Sequence, residues 1–181
     1  MPTKHEKNIA FYIILVSKKQ MLQMKKIIFT ALILLVGVAG KAQLKIGETV
    51  PEIELPNRLD SLVKLSSLTG KVILIDFWAS WCSPCRAANP YIQKLYKKYK
   101  ADGFEVFGVA LDVKKESWLK AVKTDKLTYT LVNDVTGWNS KVAESFFIDM
   151  LPTNFLLDRT GKIVAINLEG KALYDTVKKM L

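Results

Sequence analysis

The chain of 181 residues has two cysteines, Cys82 and Cys85, which are separated only by Ser83 and Pro84. Two thiols at this spacing can be part of a metal site, form a structural crosslink, or open and close as a redox couple. A zinc site needs about four ligands, typically Cys or His. The only histidine is His5, near the N-terminus, so the sequence predicts no metal site.

The position of the cysteine pair favours a redox couple over a structural crosslink. A disulfide between Cys82 and Cys85 closes a very short loop and removes little entropy from the unfolded chain. Cys82 follows a strongly apolar run and precedes a helical pattern, so it is expected at a helix N-terminus, where free N–H groups and the helix dipole stabilise a thiolate. We therefore expect Cys82 to be exposed and nucleophilic, and Cys85 to be the shielded thiol that resolves a mixed disulfide.

Hydrophobic periodicity predicts the elements that carry this pair. The continuous apolar run at residues 71–78 is typical of a strand covered on both faces. An apolar stripe then predicts a helix from about Cys82 to Ala101. Residues 103–111 form a second strand, which is parallel to the first if the helix between them is a right-handed crossover.

The rest of the chain predicts a mixed α/β domain. We expect two short strands around residues 52–55 and 62–65, and then the following elements after the second long strand: a helix at 116–125, a strand at 128–132, a helix at 138–147, a hairpin of strands at 153–158 and 162–167, and a helix at 170–181. This order predicts a mixed central sheet flanked by helices.

The N-terminus has the pattern of a secretory signal peptide. Lys25 and Lys26 precede thirteen uncharged, mostly apolar residues, and small residues follow near Ala42. Thirteen residues are too few to span a bilayer comfortably, although an uncleaved membrane anchor is the alternative. We predict a signal peptide at 1–42, in which residues 1–23 are a mis-assigned start and translation begins at Met24 or Met21. The mature domain at 43–181 is expected to act in the periplasm, where disulfides persist.

The charge of the chain does not indicate nucleic-acid binding. Seven lysines and one acid in residues 1–42 account for six of the ten net positive charges. The remainder has 20 basic and 16 acidic residues, with no long basic tract. The sequence therefore predicts no nucleic-acid partner. We also expect no cofactor, and we expect the protein to be a monomer.

The segment DFWASWCSPCR, residues 76–86, resembles the active site of thioredoxin-fold proteins. The predicted export signal, the strand-rich lead-in and the long gap from Cys82 to Pro152 are similar to the TlpA/ResA type of exported thiol–disulfide oxidoreductase. The resemblance covers about residues 44–181. It implies a thioredoxin-like fold with an N-terminal strand extension and an insertion before a cis-proline loop.

The resemblance also implies roles for single residues. Pro152 corresponds to the cis-proline, with the backbone of Leu151 pairing to a substrate chain, while the alternative is a proline that merely opens a strand. Trp81 contributes to an apolar docking surface around Cys82. Asp76 corresponds to a buried acid with a raised pKa that accepts the Cys85 proton, unless it is only hydrogen-bonded to local amides.

One position departs from the family pattern, and several questions stay open at this stage. Many relatives carry a glutamate three residues after the second cysteine, where this chain has Ala88. The resemblance implies a reductase of exported disulfide proteins that is recharged by a membrane thiol electron donor, although Cys-Ser-Pro-Cys alone does not set the direction of electron flow. A peroxiredoxin-like peroxidase is the enzymatic alternative, but its proline and threonine positions hold Ile75 and Ala79. A non-enzymatic binding module is the other alternative.

Overall fold

The computed structural model describes residues 18, 20–26 and 43–181. The chain divides into two compact units, residues 1–42 and residues 43–181. In the first unit, residues 18 and 20–26 are helical, whereas the apolar stretch of the predicted signal peptide at 27–39 lies outside the described residues. No helix within the described ranges has the length and apolarity needed to cross a membrane.

The second unit begins with a small hairpin. Strands β1 (Glu54–Pro56) and β2 (Leu62–Lys64) pair in antiparallel fashion and are followed by a 3-10 turn. The side chains of Ile53 and Leu65 beside this hairpin are buried in the apolar core. The predicted strand-rich lead-in is thus confirmed, and it covers part of one face of the main sheet.

The main sheet has five strands and mixed direction, as the sequence predicted. Its members are β3 (Val72–Trp78), β4 (Phe104–Ala110), β5 (Thr130–Asn133), β6 (Thr153–Leu157) and β7 (Ile163–Ile166). Their spatial order is β5-β4-β3-β6-β7. Strands β3, β4 and β5 are parallel, while β6 runs antiparallel to both of its neighbours. The central strand β3 is therefore buried on both faces, which explains its continuous apolar run.

Four helices accompany the sheet in the second unit. They are α1 (Ser83–Tyr99), α2 (Lys115–Thr124), α3 (Lys141–Ser145) and α4 (Gly170–Met180). The predicted helix at 138–147 is shorter than expected. Its first residues form a separate 3-10 turn, Gly137–Asn139, and α3 begins after Ser140, whose side chain accepts a hydrogen bond from the N–H of Ala143.

Strand alternation decides which side chains face which helices. Leu74 and Trp78 of β3 belong to an apolar cluster that contains the buried residues of α1, α2 and α4. Ile75 and Phe77 belong to a second cluster, on the other face, with residues of α3 and the lead-in. Because side chains two apart in a strand share a face, Asp76 faces the side of α1 and α4.

Candidate active site

The two cysteines lie at the N-terminus of α1, directly after β3. Cys82 is the residue that caps the helix, and its Sγ accepts a hydrogen bond of 3.3 Å from the N–H of Cys85. Pro84 lies in the first turn, where its missing N–H costs no helical hydrogen bond. Cys82 and Cys85 form a disulfide with their Cα atoms 5.3 Å apart. The sequence-predicted pair is therefore assembled as a crosslink that thiol exchange can open.

The expected exposure of Cys82 is wrong for this oxidised state. Cys82 is 5% exposed and Cys85 is 2% exposed. Both belong to the apolar cluster between α1 and the sheet, which also contains Trp78 and Ala79. A position at a helix N-terminus does not by itself reveal this packing.

Asp76 is a buried acid without a hydrogen-bonding partner. It is 3% exposed, and its carboxyl receives no hydrogen bond from any residue that the structure describes. Burial, followed by the negative charge of Glu169, raises the pKa of Asp76 from 3.8 to about 7. The alternative that Asp76 only bonds local amides does not agree with this geometry.

A cavity of about 390 Å³ connects Asp76 with its surroundings. Pro84 and Ala88, which flank Cys85 along α1, line one wall, and Pro152 and Glu169 line others. Asp76 thus shares a cavity with residues on either side of Cys85 in α1. A carboxyl with a pKa of about 7 can accept or return the proton of a thiol within hydrogen-bonding reach.

The loop between β3 and α1 is fixed by two acids that sequence reasoning did not identify. Asp112, at the end of β4, accepts hydrogen bonds from the N–H of Ser80 at 2.9 Å and from its hydroxyl at 2.5 Å. Arg86 donates to the carbonyl of Ser80 at 3.1 Å and forms an ion pair of 2.5 Å with Asp125. Asp125 also accepts from Asn89 at 2.7 Å. These bonds fasten the cysteine loop to the chain that follows β4.

The Leu151–Pro152 loop lies beside the start of β6. The peptide bond between Leu151 and Pro152 is cis, as the family resemblance implied. Both residues are half-buried, and Pro152 lines the cavity that contains Asp76. The backbone N–H and C=O of Leu151 make no hydrogen bond within residues 43–181. These groups are free to pair with another extended chain.

An exposed aromatic pair stands beside the disulfide. Trp81 immediately precedes Cys82, and its ring centroid lies 6.1 Å from that of Trp138. The two side chains are 57% and 52% exposed. Trp138 comes from the 3-10 turn before α3 and was not predicted as part of the site, because no local pattern links residues 57 positions apart. Together the two rings form an apolar surface next to the reactive bond.

The chain matches the AhpC/TSA family over residues 46–166, which include all seven strands. Among curated proteins, the thiol-disulfide oxidoreductase ResA of Bacillus cereus is 31% identical over 126 residues, which cover 70% of this chain and 71% of the relative. The protein of the same name from Bacillus subtilis is 30% identical over 128 residues, with coverages of 71% and 70%.

Solved structures of similar proteins share this fold. A thiol-disulfide oxidoreductase from Bacteroides fragilis is 38% identical with a TM-score of 0.70, and the match covers 74% of this chain and 100% of that one. The thioredoxin domain of a thiol-disulfide oxidoreductase from Bacteroides vulgatus is also 38% identical, with a TM-score of 0.71 and coverages of 76% and 98%. The second unit of this chain is thus equivalent to a complete domain in those proteins.

Proposed function

We propose, from the premise that the chain belongs to the AhpC/TSA family of thioredoxin-fold proteins and is a thiol–disulfide oxidoreductase, that it reduces disulfides in exported proteins. The observation that carries this proposal is the Cys82–Cys85 disulfide at the start of α1, directly after the strand that holds Asp76, whose carboxyl makes no hydrogen bond within the described residues. Exchange through two cysteines needs a nucleophile, a resolving thiol and a site for one proton. Cys82, Cys85 and Asp76 would supply these three groups.

The reaction begins from the reduced protein. The Cys82 thiolate attacks one sulfur of the substrate disulfide and releases the other as a thiolate, which takes a proton from water. Cys85 then passes its proton to the Asp76 carboxylate, and the Cys85 thiolate attacks the Cys82 sulfur and releases the second substrate sulfur as a thiolate, which takes a proton from water. Two electrons have moved from the protein to the substrate, and the Cys82–Cys85 disulfide is restored.

Substrate binding is assigned to the groups around the disulfide. The free backbone groups of Leu151 would pair with an extended segment of the substrate, beside the cis bond to Pro152. Trp81, paired with Trp138, would contact an apolar side chain next to the substrate cysteine. Such contacts favour a polypeptide over a small disulfide.

The N-terminal sequence supports a periplasmic site of action, and the family resemblance supports a membrane thiol as electron donor. Two lysines followed by a short apolar stretch direct a chain to the export machinery, so the protein would act in the periplasm. Regeneration of the dithiol there requires a donor of two electrons that reaches across the membrane. A membrane thiol electron carrier has the matching chemistry, because thiol exchange with its own cysteine pair would reopen the Cys82–Cys85 bond.

Two cysteine variants test the roles of the thiols. Cys85→Ser is expected to accumulate mixed disulfides through Cys82, because the resolving thiol is absent. Cys82→Ser is expected to accumulate none and to lose insulin reduction. Trapping by Cys82→Ser alone would reverse the roles, and trapping by neither variant would contradict the proposed exchange.

Peroxide consumption by the reduced wild type at a rate above its insulin reduction would favour the peroxidase alternative.

A further inference from the structure

A second acid, Glu169, shares the cavity of Asp76. It lies immediately before α4 and caps that helix without a side-chain hydrogen bond. Its side chain is exposed and forms no ion pair with any described residue. Glu169 nevertheless lines the same cavity as Asp76. An unpartnered carboxylate is therefore held at the mouth of a cavity whose inner end contains a buried, unpartnered carboxyl.

The position of Glu169 is fixed by the backbone on both sides. Asn154, which is paired directly with Asp76 across β6 and β3, accepts from the N–H of Leu168 and donates to its carbonyl, each at 3.1 Å. The hydroxyl of Tyr91 in α1 donates to the carbonyl of Gly170 at 2.6 Å. The segment 168–170 is thus tied to the strand beside Asp76 and to the helix that carries Cys85.

Glu169 is the one charged group that contributes to the raised pKa of Asp76 within the described chain. No lysine, arginine or histidine lines it within the described chain. The titratable groups that share the cavity with Asp76 are Tyr91 from α1 and Glu169 before α4, and Tyr129 before β5 interacts with Asp76 electrostatically. Cys85 lies in α1 between the lining residues Pro84 and Ala88. Burial, and then Asp76 itself, raise the pKa of Tyr129, so that hydroxyl stays neutral. Among them, Glu169 is the group whose charge raises the pKa of Asp76.

We infer that Glu169 is a positioning residue for disulfide exchange, acting through Asp76 to set the pH range in which Asp76 passes the Cys85 proton to solvent. This inference rests on the proposed function and adds a residue to it. The step transfers one proton and no electrons. Cys85 gives it to the Asp76 carboxylate during resolution of the mixed disulfide, and Asp76 releases it through the cavity past Glu169.

The pKa of Asp76 supports the inference. Burial is the larger cause of its rise to about 7, and the Glu169 carboxylate is the second. Removing that charge while keeping the shape, as in Glu169→Gln, should therefore lower the pKa of Asp76 but leave it above 3.8. For an exposed charge partly screened by water, the expected change in the midpoint is roughly one pH unit or less.

The test is a titration of Asp76 in the oxidised full chain, followed by NMR of its carboxyl carbon. The midpoint of the Asp76 titration should lie at lower pH in Glu169→Gln than in the wild type. The rate of mixed-disulfide resolution should also begin to rise at a pH that is lower by the same amount. Glu116→Gln is the matched control, since it removes an exposed, unpartnered glutamate that does not line the cavity. It should change neither midpoint.

A double variant separates charge from local structure. Ala88 of α1 also lines the cavity, so Ala88→Glu returns one negative charge to it from another element. In the Glu169→Gln background it should raise the Asp76 midpoint again. An unchanged midpoint in Glu169→Gln overturns the inference, as does a lowered midpoint that Ala88→Glu leaves unaltered. If the wild type shows no disulfide exchange, the proposed function is contradicted. The NMR midpoint of Asp76 does not depend on exchange, so it tests the role of Glu169 separately.

Discussion

Replacing Asp76 by asparagine should stabilise the protein at alkaline pH and slow its exchange reaction. The carboxyl is 3% exposed, has no hydrogen bond within the described residues, and has a pKa raised mainly by burial to about 7. An acid whose folded pKa lies above its unfolded value destabilises the fold once it ionises. Asparagine keeps the shape and removes the ionisation.

The magnitude follows from the two pKa values. With 3.8 for the unfolded chain and about 7 for the fold, ionised Asp76 costs up to about 4 kcal/mol above pH 7. The cost is absent below pH 3.8 and grows as the pH rises to about 7. Because the cavity admits water, we expect a net gain of about 2–4 kcal/mol for Asp76→Asn at pH 8, and a gain near zero at pH 4.

The assay is urea unfolding of oxidised wild type and Asp76→Asn at pH 4 and pH 8, with insulin reduction measured on the same preparations. In Asp76→Asn, Cys85 has no proton acceptor when it resolves the mixed disulfide. The rate of insulin reduction at pH 8 should therefore fall about tenfold or somewhat less, near the low end for general base catalysis. A variant that is less stable at pH 8 and fully active would refute the proton-transfer role. A stability gain of equal size at both pH values would refute the buried-charge reasoning.

Three further predictions test other contacts. Asp125→Asn should lower the free energy of unfolding by about 1–2 kcal/mol at pH 7. Burial raises the pKa of Asp125, but the hydrogen bonds from Arg86 and Asn89 outweigh it and hold the pKa below the ordinary 3.8. Urea unfolding should therefore show the difference between variant and wild type fading as the pH falls below 3.8. Trp138→Ala should slow insulin reduction about fivefold and leave a small aromatic disulfide unaffected, whereas the exposed control Ile46→Ala should change neither rate. N-terminal sequencing of the periplasmic product should begin near residue 43, and a membrane-bound form beginning at residue 24 or earlier would contradict export with cleavage.

Several parts of the fold follow from short stretches of sequence. The continuous apolar run before Cys82 predicted β3, because a strand covered on both faces has no polar side. The stripe that follows predicted α1, and turn residues predicted the β6–β7 hairpin. Each of these patterns reflects interactions among residues a few positions apart, which a single stretch contains.

Other features were decided by a local cap or by contacts between distant segments. The helix predicted at 138–147 divides at Ser140, where a local cap overrides the apolar periodicity. The burial of Cys82 depends on packing between α1 and the sheet, which is formed by residues from both ends of the domain. Trp138 meets Trp81 only because the segment after β5 folds back toward the start of α1.

The amino-acid sequence by itself determined the reactive pair, its place between a buried strand and a helix, and the burial of Asp76. The partners of these residues were decided by the tertiary structure. Register between β3 and β6 sets Asn154 opposite Asp76, and the bonds from Asn154 to Leu168 then bring Glu169 to the same cavity, 93 residues further along the chain. A charge acts on a buried acid through space, and only the folded chain sets that separation.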